Sequence, residues 1–179
     1  MQPADPAEVE LDALLELFFE DAYQLGQFRP VSATEVPSPS RELLAHEHHM
    51  TVTVERHHGS PVDVRVLQTR RDGSKYSREI LLTRQSDDRV VQYGIVRLNL
   101  DLIDPAPRSE IESEQIPLGR ILINHQILRQ VRLLGLWEIT AGPELAKWLP
   151  VESGQRCYGR TALIYLAGAP AIELLEIVA

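Results

Sequence analysis

The spacing of apolar residues changes along this chain, and each change predicts a different kind of element. From Glu10 to Tyr23 the positions Leu11, Leu14, Leu15, Phe18, Phe19 and Ala22 recur every three or four residues, the period of a helix with one buried stripe. Leu25–Pro39 has no period and holds Gly26, Pro30, Pro37 and Pro39, so it reads as a long connection. Arg41–Glu47 follows as a helical turn with Leu43 and Leu44 inward. The period then falls to two. Met50, Val52 and Val54 alternate with Thr51, Thr53 and Glu55, and Val62, Val64 and Val66 alternate with Asp63 and Arg65. With Gly59 between them, these runs predict a β-hairpin. Further strands are predicted over Lys75–Arg84, Val90–Leu100, Gln126–Thr140, Cys157–Leu166 and Ala171–Val178. Asp104–Pro117 reads as a loop, while Leu118–His125 and Pro143–Leu149 read as short helices opened by prolines. Residues 1–8, rich in proline and acid, are expected to fray. Short turns between the β-runs imply antiparallel pairing, and the mixture gives an α+β class.

Composition narrows the function. A chain of 179 residues suits one domain, taken as 1–179 with 1–39 as an N-terminal helix and proline-rich connection. The formal net charge of −8 leaves no basic surplus to neutralise phosphates, so nucleic acid is not an expected partner. No apolar run approaches a membrane span and the N-terminus lacks a basic-then-apolar leader, which predicts a cytoplasmic protein. Cys157 is the sole cysteine, excluding an internal disulfide, and reads as a half-buried structural thiol. His46, His48, His49, His57 and His58 crowd one region, but their spacing matches no metal site. Solvated turn histidines are the expectation, with no metal.

Two charged residues stand out because they fall on apolar faces. In strand Lys75–Arg84, Arg78 shares its face with Tyr76, Ile80 and Leu82. A guanidinium keeps its proton and is costly to bury without an anion, so a carboxylate must meet it, from the chain or from a ligand. Glu176 is in phase with Ile172, Leu174 and Val178; Glu173 occupies the other phase, also among apolar neighbours. An internal pair between Arg78 and one of these acids needs no ligand at all.

The ordered set His49-Met50-Thr51, Tyr76-Ser77-Arg78-Glu79-Ile80-Leu81-Leu82, Ile116-Pro117-Leu118-Gly119-Arg120, Tyr158-Gly159-Arg160, Gly168-Ala169-Pro170 and Glu176 resembles chorismate lyase, as a divergent member. The likeness runs from about Leu43 to the C-terminus. It implies an antiparallel sheet of about six strands, with helices packed on it and an internal ligand cavity. It also implies a cofactor-independent lyase that eliminates pyruvate from chorismate to give 4-hydroxybenzoate. In that reading Arg78 clamps the substrate carboxylate, Glu176 acts at the other end as acid or base, and Met50 and Leu118 form apolar walls. One extra residue separates the Gly-x-Pro turn from Glu176 relative to the lyase pattern. Either a bulge absorbs it or Glu173 takes the role. The same fold also serves as the effector domain of bacterial repressors, so a non-catalytic binding or sensor domain for an aromatic carboxylate is the alternative. The forty or so residues before the match do not accommodate a winged helix. On either reading the partner is an aromatic or cyclohexadiene carboxylate, bound by a monomer or small homo-oligomer.

Overall fold

The computed structural model describes residues 6–179. Met1–Asp5, most of the segment expected to fray, lie outside the described residues; helix α1 spans Pro6–Leu15. Seven strands follow in one sheet: β1 Gly26–Val31, β2 Val62–Asp72, β3 Lys75–Arg84, β4 Val90–Asn99, β5 Arg129–Ala141, β6 Arg156–Leu166 and β7 Ala169–Val178, in the order β1-β5-β6-β7-β4-β3-β2. Every neighbouring pair is antiparallel. Helices α2 (Ser40–Leu44), α3 (Met50–His58), α4 (Pro105–Glu112) and α5 (Leu118–Asn124) cover one face. Helices α1 and α6 (Pro143–Trp148) cover the other. The central strands are therefore buried on both faces. This explains why Lys75–Arg84 is buried nearly throughout rather than at every second residue.

The α+β class and the antiparallel sheet match the expectation, with one more strand than the resemblance implied. That strand is β1, which lies in the stretch read as a connection. It pairs with β5 at the sheet edge, where Pro30 is tolerated because one side of its backbone has no neighbour to bond. Pro105–Glu112, expected as a loop, is a helix started by proline, with Pro107 and Ile111 as its buried pair. The N-terminal helix ends at Leu15, well before Tyr23.

The largest departure is Met50–Glu55, expected as a strand leading to a turn at His57–Pro61 and found within helix α3 (Met50–His58). The apolar run is short enough to satisfy both periods. Met50 and Val54 are two strand repeats apart, and they are also one helical turn apart. Burial decides the matter: Met50, Thr51 and Val54 face the core while Arg56, His57 and His58 collect in the last turn. Gly59 then stops the helix at φ +61°, its N–H bonded to the Glu55 carbonyl, a left-handed cap that suits a residue without Cβ.

Candidate functional site

The face covered by α2–α5 contains a cavity floored by Arg78, Ile80 and Leu82 of β3, Gln92, Gly94 and Val96 of β4, and Leu174 and Glu176 of β7. Its roof comes from His49, Met50 and Thr51 at the start of α3, and from Leu118 and Gly119 at the start of α5. The two roof helices approach closely: a Cβ on Gly119 would sit 2.7 Å from Thr51 Oγ1. An ion pair between Arg120 and Glu55 ties them a second time. The enclosed volume is about 40 Å³. That holds only a few waters, far below the ~300–1,000 Å³ of pockets that enclose drug-sized ligands. As it stands, the chamber is too small for such a ligand.

All four residues singled out in the sequence, Arg78, Glu176, Met50 and Leu118, line this one cavity. The phase ambiguity between the two acids is resolved by a register shift. Ile164 pairs with Ile172 but Tyr165 pairs with Pro170, leaving Ala171 as the extra residue of a bulge. The bulge absorbs the additional residue and keeps Glu176 on the cavity face. Glu173 lies in the opposite phase and pairs with Arg97.

The two buried arginines of the cavity differ sharply. Arg160 of β6 is 1% exposed and fully engaged. Its Nε donates to Glu176 Oε2 at 2.7 Å, its Nη1 to the His46 carbonyl at 2.8 Å, and its Nη2 to the His48 carbonyl at 3.0 Å. It thereby fastens the segment leading into α3 to the sheet. Arg78 is equally buried, at 1% exposure, yet its only bond among the described residues is a long one of 3.5 Å from Nη1 to the Ile111 carbonyl. Its Nε has no partner, and no carboxylate of the described residues lies within ion-pair distance. Burial lowers its pKa, partly offset by Tyr76 and by Glu114, whose carboxylate accepts from the Tyr76 hydroxyl at 2.8 Å. The internal pair weighed for Arg78 is thus absent: the acid placed to make it is taken by Arg160.

Gln92 is the second incomplete group. It is 2% exposed and its Oε1 has no partner. Neither Gln92 nor Arg160 was singled out as a site residue in the sequence. Arg160 was legible by the signal that found Arg78, since it is in phase with Ala162 and Ile164; Gln92, between Val90 and Gly94, gave a fainter version of it.

His48 and His49 line the chamber, and His46 packs beside them against Arg160. His46 Nδ1 accepts from the His48 backbone N–H at 3.1 Å and lies 3.2 Å from Arg160 Nη1, while its Nε2 meets the Leu43 carbonyl at 2.7 Å. His49, at the start of α3, accepts a bond from Arg129 Nε. Burial, helped by Arg160 for His46 and by Arg129 for His49, pushes both down to about 4, so both are neutral. Among the described residues no group of His, Cys, Asp or Glu converges as metal ligands would. Burial pushes the Cys157 thiol up to about 12, an inert side chain more deeply placed than expected. Among the described residues no helix is long and apolar enough to cross a membrane.

No protein-family model and no curated protein sequence matches the chain. Solved structures do resemble it. A gene product of Staphylococcus aureus subsp. aureus N315 superposes with a TM-score of 0.55 at 10% identity, over 76% of this chain and 90% of that one. PhnF from Mycobacterium smegmatis superposes with a TM-score of 0.50 at 13% identity, over 96% of this chain and 93% of that one. The ligand-binding domain of a Bordetella bronchiseptica protein assigned to the GntR family of transcriptional regulators gives 0.49 at 16% identity, over 66% and 85%. The expectation of a carbon–oxygen lyase is corrected: one of these proteins is described as a ligand-binding domain, and none of the three as a lyase. The carboxylate assigned to proton transfer gives its Oε2 to Arg160. What this chain shares with these proteins is a fold.

Proposed function

We propose that this chain is a small-molecule-binding domain, a sensor module that takes an organic acid with a flat apolar body, such as an aromatic carboxylate, into the chamber beneath α3 and α5. The observation that carries this reading is the Arg78 guanidinium, buried to 1% exposure with its Nε unpaired. A buried cation without an anion is costly, and a carboxylate arriving at Nε and Nη would form the bidentate pair the protein itself leaves unmade. Met50, Ile80, Leu82, Val96, Leu118 and Leu174 supply apolar walls for the rest of such a ligand.

The closed volume requires the roof to shift before a ring can enter. A second, open groove of about 1030 Å³ lies outside, and His48, His49 and Val131 line both spaces. That shared wall, held by Arg129 on His49 and by Arg160 on His48, is the entry this reading uses. Calorimetric titration with benzoate and ring-substituted benzoates tests the reading. Binding is expected, and Arg78→Met is expected to weaken it by about 10- to 150-fold, the usual range for losing a hydrogen-bonded charge. Equal affinity in the variant, or no binding of any such acid, would overturn it.

A further inference from the structure

Gln92 is the other polar group of the chamber left without a partner, and its position relative to Arg78 constrains the ligand further. On β4 it pairs with Leu82, whereas Val96 pairs with Arg78. Four residues of strand therefore separate the two levels, about 13 Å along the sheet. Ile80 and Gly94 occupy the level between, and Glu176, paired with Gly94 in register, turns its Oε2 to Arg160. One end of the chamber thus offers the unused Nε–H donor of Arg78 and the other the unused carbonyl oxygen of Gln92, with apolar surface between them.

Resting on the acid-binding reading, we propose that Gln92 determines specificity: its Oε1 accepts a hydrogen bond from a hydroxyl or amine at the end of the ligand remote from the carboxylate. An acid without that donor leaves a carbonyl oxygen buried and unpaired, and sites built to bond a polar group reject analogues that lack it. The ligand class becomes an acid of roughly one ring's length with an N–H or O–H donor at its far side.

The test is calorimetric titration of the full chain with benzoate, 4-methylbenzoate, 3- and 4-aminobenzoate and 4-methoxybenzoate, on the native protein, Gln92→Met and Arg78→Met. One of the aminobenzoates is expected to bind the native protein about tenfold tighter than 4-methylbenzoate, which matches the amine in size. In Gln92→Met that ratio is expected to fall to about one. The melting temperature of ligand-free Gln92→Met should equal or exceed that of the native chain, because an unpaired buried group has been removed. A preference for the amine that survives in Gln92→Met overturns the assignment. So does an equal gain from 4-methoxybenzoate, which accepts but cannot donate. Failure of every acid to bind, or equal binding to Arg78→Met, removes the acid site itself and is distinct from a site that holds acids without regard to their far end.

Discussion

Replacing Arg78 by methionine separates a ligand-binding cation from a structural one, because the two roles change stability in opposite directions. In the ligand-free protein the guanidinium is desolvated and donates one long hydrogen bond, to the Ile111 carbonyl. Desolvating an unpaired ion costs several kcal/mol even after relaxation, while a weak bond to a neutral carbonyl returns about 1 kcal/mol at most. Methionine is unbranched and flexible, and suits a site already walled by Ile80, Leu82 and Val96. Net stabilisation of about 1–3 kcal/mol is expected, which for a domain of this size corresponds to a rise in Tm of roughly 3–10 °C. Thermal and urea unfolding of the ligand-free proteins measure it. A fall in Tm of several degrees would show that Arg78 holds the fold together, and the argument from its lack of partners would be wrong.

Arg160→Met should do the reverse. It leaves the Glu176 carboxylate buried and unpaired and frees the His46 and His48 carbonyls, so a loss of about 3–5 kcal/mol is expected in the same unfolding experiments. Acid should weaken the fold through His46 and His49. Their folded values of about 4 lie below the unfolded 6.5, so the unfolded chain binds more protons between those limits. Stability contributed by the neutral rings is full above about pH 6.5 and is lost as pH falls towards 4. On the order of 2–4 kcal/mol should go for the pair, with allowance for solvent screening, read from urea midpoints at pH 7 and pH 5. Protonated His49 would also give up its bond from Arg129, so ligand exchange should quicken over the same interval. Gly119→Val should force α5 away from Thr51 of α3 and raise the dissociation rate of a bound acid measured by stopped flow.

The parts of the fold that were legible in the sequence are those where one local signal had no rival. The long runs Lys75–Arg84, Val90–Leu100 and Cys157–Leu166 are β-rich and bounded by turns, and they became β3, β4 and β6 with ends moved by a residue or two. Met50–Glu55 had a rival: six residues cannot separate a period of two from one of 3.6, and only packing against the sheet selected the helix. β1 was hidden because an edge strand with proline needs little apolar content, and α4 because two buried residues among charges make no visible stripe. At the site, Arg78 and Glu176 were found by a charge falling in phase with aliphatics. Their relation to each other was not visible. Which arginine reaches Glu176 depends on β6 and β4 both lying beside β7, a long-range pairing that strand phase alone does not contain.

The side-chain Nε–H resonance of Arg78 reports the central claim most directly, since that atom is the unpaired donor to which the acid is assigned. In nitrogen-15 spectra, identified by its loss in Arg78→Met, this resonance should move downfield and saturate along the same curve as heat release when an aromatic carboxylate is added. An acid that binds while the resonance stays fixed would place the ligand elsewhere and contradict the account.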